Sequence, residues 1–165
     1  MLVRLVFAIA LLSSALAQAI VLPAVGTAAI LPNLVLVSLL VWSALRGVAE
    51  GLVWVFGIGL VLDLVGLDTL GVNGLALLPV ALLAGIARRR FFQSVMILPI
   101  LLTMLATLVF ALMLAGLRGF GEGGAMLPTA TLIRAMSLQA LLNAILVPPI
   151  YLLTVWTNRW LAERR

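Results

Sequence analysis

In a chain of 165 residues that is 65% hydrophobic and 9% charged, no water-soluble fold can hide the apolar surface, because soluble domains carry about 25% charged residues. The net charge of +5 is carried by ten arginines and no lysine; they stand at the ends of apolar runs, so they read as membrane orientation and exclude a nucleic-acid-binding role. The absence of Cys and His removes disulfides, thiolate chemistry and the commonest general base and metal ligand.

A membrane-crossing helix needs about 20 apolar residues. The apolar runs predict an all-α, polytopic integral membrane protein: a single transmembrane domain over residues 1–165 with about six helices, at 3–22, 28–45, 51–66, 72–87, 94–117 and 131–156. The first run has a competing reading. Arg4, the apolar stretch Leu5–Leu12 and Ala15-Leu16-Ala17 have the layout of a cleavable signal peptide. The apolar character continues to Val25, which favours a retained span, and either reading leaves the later segments in the same orientation. Ala15 and Ala19 form a small-xxx-small pair on this helix. The third and fourth runs are slightly short, which implies local thinning or burial within the bundle. Arg118–Gly124 reads as the longest outer loop, and Pro148-Pro149 as a kink or break near the inner end of the sixth helix.

With the N-terminus inside, Arg4, Arg46, Arg88, Arg89, Arg90, Arg159, Arg164 and Arg165 all lie on the cytoplasmic side. Only Arg118 and Arg134 fall outside, so the positive-inside rule places both chain ends in the cytoplasm. Arg88, Arg89, Arg90, Arg164 and Arg165 form an inner basic rim. Such a rim attracts anionic lipid headgroups by about 1 kcal/mol per residue, and offers a docking surface to a cytoplasmic partner.

Asp63 is the most informative single residue, a carboxylate inside the apolar run Gly57–Gly66. At a helix centre it would cost about 2.5–3.5 kcal/mol to insert, and less in the outer third, where this span places it. Helical spacing sets Phe56, Gly59, Asp63 and Gly66 on one stripe, whose small residues permit close helix approach. The expected role is a structural anchor between the third helix and the fourth or sixth, with a snorkelling acid or a ligand or proton site as the alternatives. The following Gly66–Gly74 segment, with Asp68, Thr69, Gly71 and Asn73, reads as a tight outer turn in which Thr69 or Asn73 caps the fourth helix and which folds back on Asp63.

On the sixth helix Gln139 and Asn143 share a face with Met136, suited to interhelical hydrogen bonds of about 0.6–2 kcal/mol. Arg134 lies about 140° round the helix from Gln139, free to snorkel outward or to pair with Asp63. No serine has a histidine partner, and Asp63 and Asp68 lack the spacing of a metal-binding cluster. The residues point to a protein that is not an enzyme and needs no cofactor.

The middle of the chain resembles the rod shape-determining protein MreD family of bacteria. The resemblance runs from Pro32-Asn33-Leu34-Val35 through Trp42-Ser43-Ala44-Leu45-Arg46 and Gly51 to Phe56–Leu64 with its glycine spacing and terminal Asp63. It continues with Leu70-Gly71-Val72-Asn73-Gly74 and closes on Arg88–Arg90; Asn33 stands where the family often has an aspartate. The resemblance implies a multi-pass protein of the bacterial cytoplasmic membrane and of the cell-elongation machinery that organises peptidoglycan synthesis. It implies a bitopic partner, MreC, and an assembly with the filament protein MreB, the glycosyltransferase RodA and a penicillin-binding transpeptidase. No catalytic activity is attributed to the family. The family is also similar to the S components of energy-coupling-factor transporters, which makes a vitamin- or metal-binding S component the alternative. A vitamin pocket needs several aromatic and hydrogen-bonding groups, whereas Tyr151 is the only tyrosine and Trp42, Trp156 and Trp160 read as inner-interface belt residues.

Overall fold

The computed structural model describes residues 2–21, 31–86, 88, 97–121 and 130–163. Among these residues the chain is all-helical, with six helices. Helix α1 (Leu2–Leu16) continues into a π-helical turn, Ala17–Val21. Then follow α2 (Leu34–Arg46), α3 (Val48–Gly66), α4 (Val72–Ile86), α5 (Ile97–Gly121) and α6 (Ala130–Glu163). Four spans, namely α1 together with its π-helical turn, α3, α5 and α6, are long and apolar enough to cross a bilayer. Exposed Leu5, Ile9, Leu101, Leu105, Leu141 and Ile145 cover their outer faces, a surface for which lipid is the solvent. The chain is an integral membrane protein.

Several boundaries differ from the sequence reading, for local reasons. The second helix starts at Leu34 rather than at residue 28; residues 28–30 lie outside the described part, and 31–33 are not helical. Pro32 disfavours helix in the residue before it, and the Asn33 Oδ1 caps the helix by accepting from the Leu36 N–H at 2.8 Å. The third helix starts three residues early, at Val48, because Gly47 alone, at φ +104°, reverses the chain. With 19 residues it is therefore a full-length candidate span. Helix α5 extends through Arg118 to Gly121, so no loop begins at Arg118, and the rest of the expected loop, residues 122–124, lies outside the described part. Helix α6 runs through Pro148 and Pro149 without a break.

The shorter helices form the interior. Helix α2, at 13 residues, rises only about 20 Å, yet Val35–Val37 and Leu39–Ala44 are all buried. It is a core helix surrounded by the others, packing against α3, α4, α5, α6 and α1. Trp42 belongs to this core, at 1% exposure, and is not an interfacial belt residue. Its ring stacks on Phe7 of α1 with 3.8 Å between centroids, because α1 brings Phe7, Leu11 and Ala15 into the core. Trp156 and Trp160 are exposed, as a belt requires. Helix α4 buries Ala76, Ala81 and Ala84 completely, small side chains that let neighbouring backbones approach. Contact is closest between α3 and α4, where a Cβ on Gly59 would collide with the backbone of Gly74.

Candidate functional site

The sequence between α3 and α4 folds back on Asp63. Leu67 takes a left-handed conformation, φ 54°, and its N–H bonds the Asp63 carbonyl, ending α3. The Asp68 N–H reaches the same carbonyl at 3.0 Å. Gly71, at φ +93°, then turns the chain into α4. This geometry aims three donors at the Asp63 carboxylate. Its Oδ2 accepts from the Gly71 N–H at 2.6 Å, and its Oδ1 accepts from both the Asn73 N–H and the Asn73 side-chain amide at 2.9 Å. Asp63 is 1% exposed, and a buried carboxylate holds its place only when hydrogen-bonded in this way.

The network continues outward. The Asn73 amide also donates to Asp68 Oδ2 at 3.0 Å, and the Arg118 guanidinium donates to that same oxygen at 2.7 Å. Asp63, Asn73, Asp68 and Arg118 thus join α3, the turn, α4 and α5. The Asp68–Arg118 pair, with the arginine half exposed, contributes little by itself; the buried Asp63 contacts contribute more. At the tip, Leu67 and Leu70 are 92% and 66% exposed.

The stripe read from helical spacing is only partly buried. Gly59 and Asp63 face inward, but Phe56 is 55% exposed and Gly66 is exposed at the helix end. The buried face of α3 is instead Gly51, Val55, Ile58, Gly59 and Asp63, the side packed on α4 and α2. Arg134 is exposed on α6, and the Asp63 oxygens bond the start of α4 in place of it.

A second polar cluster lies within the apolar bundle, where α2 begins. The Asn143 Oδ1 accepts from the Asn33 N–H at 2.7 Å, and its amide donates to Thr107 Oγ1 of α5 at 3.0 Å. The Gln139 amide donates to the Leu31 carbonyl at 3.0 Å. Non-helical backbone at membrane depth needs such partners, and Gln139 and Asn143 supply them across about 110 residues of sequence. Thr107 is the residue the sequence did not single out. Thr103 and Thr107, four apart on α5 and both fully buried, were the available signal. Pro32 is half-buried beside this cluster.

The opposite end of the bundle gathers charge. Arg4 pairs with Glu50 at 2.9 Å. The Arg46 guanidinium donates to Asn158 Oδ1 at 3.0 Å and sits 5.3 Å from the Trp42 ring centroid. Arg88 is exposed, with its Nη1 3.2 Å from where a Gly47 Cβ would lie. Arg89, Arg90, Arg164 and Arg165 lie outside the described residues.

Among the described residues no group of three or more acidic, Cys or His side chains could hold a metal. The Asp63 oxygens are engaged by backbone and amide donors, which makes this carboxylate a clamp on the turn. No curated protein and no solved structure matches the chain. A family model for the rod shape-determining protein MreD matches residues 1–155, and the chain belongs to the MreD family.

Proposed function

We propose that the protein, a member of the MreD family and so of the rod-shape machinery, acts as a non-catalytic scaffold of the bacterial cytoplasmic membrane, with both termini inside. It holds an MreC-like bitopic partner and helps organise peptidoglycan synthesis with MreB, RodA and the transpeptidase. The observation that carries this reading is the use of Asp63. The buried carboxylate is spent on rigidifying the α3–α4 turn, with exposed Leu67 and Leu70 at its tip. A rigid apolar tip suits contact with another membrane protein, and the segregation of Arg4, Arg46 and Arg88 to the other end suits a cytoplasmic face.

The test is affinity purification of the full chain from native membranes, with mass-spectrometric identification of what accompanies it. An MreC-like protein is expected with wild type and is depleted when Leu67 and Leu70 are changed to Ser. Recovery of no elongation protein, or micromolar binding of a vitamin by the purified chain, overturns the scaffold reading.

A further inference from the structure

Helices α1 and α6 meet only sparingly, and the gap between them is floored by α2. It forms a cavity of about 260 Å³, bounded by Val3 and Ser14 along α1, by Ser38 and Trp42 of α2, and by Leu153 and Asn158 of α6. Three of the four hydroxyls on its walls are already used, all but that of Ser38 on α2. Ser14 donates to the Ala10 carbonyl, Thr154 to Ile150 and Thr157 to Leu153. Apart from Ser38 and, at one end, Asn158, these walls present an apolar surface to an occupant, and the stacked Phe7–Trp42 pair makes a rigid floor.

Size and charge identify the occupant. From Val3 to Ser14 the groove is about 16 Å long at the helical rise per residue. The volume spread over that length leaves a cross-section under about 20 Å², against about 80 Å² for a helix of about 10 Å diameter. A single hydrocarbon chain fits inside; a partner helix could place only side chains there. The mouth is basic. Asn158 lines the groove there and holds Arg46, which also borders a second cavity with Arg4, Glu50 and Trp54. Glu50 is engaged by Arg4, whereas Arg46 is held by a neutral amide, and the exposed Arg159 follows Asn158 in sequence.

We propose that this groove is a binding site for one anionic phospholipid, with an acyl chain between α1 and α6 and its phosphate at Arg46. Burial at a shaped, charged site distinguishes it from lipid that merely surrounds the bundle. This site is independent of the scaffold reading.

Native mass spectrometry of the delipidated full chain tests it, with phosphatidylglycerol and phosphatidylcholine of identical acyl chains added in turn. One phosphatidylglycerol per chain is expected, preferred about fivefold, the effect of one arginine near a headgroup. Ala10→Phe and Leu153→Trp fill the groove from exposed positions and remove the bound lipid while the melting temperature stays near wild type. Arg46→Gln abolishes the headgroup preference. Equal binding of both lipids overturns the proposal, as does undiminished phosphatidylglycerol binding in both groove-filling variants. Cross-linking of Leu153→Cys to another polypeptide in native membranes, showing a protein in the groove, also overturns it.

Discussion

Replacing Asp63 by leucine removes the acceptor for three donors at once: the Gly71 N–H, the Asn73 N–H and the Asn73 amide. A buried donor left unpaired costs about 1–3 kcal/mol. The Gly71 N–H is only partly buried and recovers some of its loss from water, so the two Asn73 donors dominate. Leucine also relieves the insertion penalty of the carboxylate, which near an interface is smaller than the about 2.5–3.5 kcal/mol of a helix centre. The balance is a destabilisation of about 2–4 kcal/mol for Asp63→Leu. Asp63→Asn keeps an Oδ1 acceptor for Asn73 but turns an amide against the Gly71 N–H, and falls between at about 1–2 kcal/mol. Unfolding by SDS titration in mixed micelles, followed by tryptophan fluorescence, measures both. Trp42 and Trp54 pack with Phe7, so loss of helix packing changes their emission. If Asp63→Leu unfolds within about 0.5 kcal/mol of wild type, a margin below any buried unpaired donor, the clamp does not hold the turn.

Other perturbations probe separate parts of the bundle. Gly59→Ala drives a methyl into the Gly74 backbone and is expected to destabilise by about 1–3 kcal/mol, as overpacking does, in the same titration. Asn143→Leu strands the Asn33 N–H and releases Thr107; about 0.6–2 kcal/mol is expected, the range for hydrogen bonds between membrane helices. Asp68→Asn removes the charge that pairs with half-exposed Arg118 and keeps one oxygen to accept from the Asn73 amide, so its effect stays under about 1 kcal/mol and shrinks as salt is raised. Changing Arg88, Arg89 and Arg90 together to Ala weakens the positive-inside bias, and reporter fusions at loop positions are expected to show a mixed orientation.

The turn was legible because it is local. Asp63, Gly71 and Asn73 lie within ten residues of one another, and glycine with Asn in that spacing has few other uses. The Asn33 cap was also open to inspection, yet the apolar run 28–45 overrode it, since hydropathy averages across a single polar residue. The apparent shortness of the third span came from assuming a loop after Arg46, where one glycine suffices.

Composition alone decided that lipid is the solvent, and the apolar runs decided that helices span it. The placement of α2 at the centre, of Trp42 in the core, of Asn143 against Asn33 and of Arg118 against Asp68 was settled only by tertiary structure. The physical reason is that lipid tails are as apolar as leucine. In water a hydrophobic face announces which side of a helix is buried. In a bilayer every face is hydrophobic, so the inward side is selected by small residues, cavities and a few polar contacts between segments far apart in sequence.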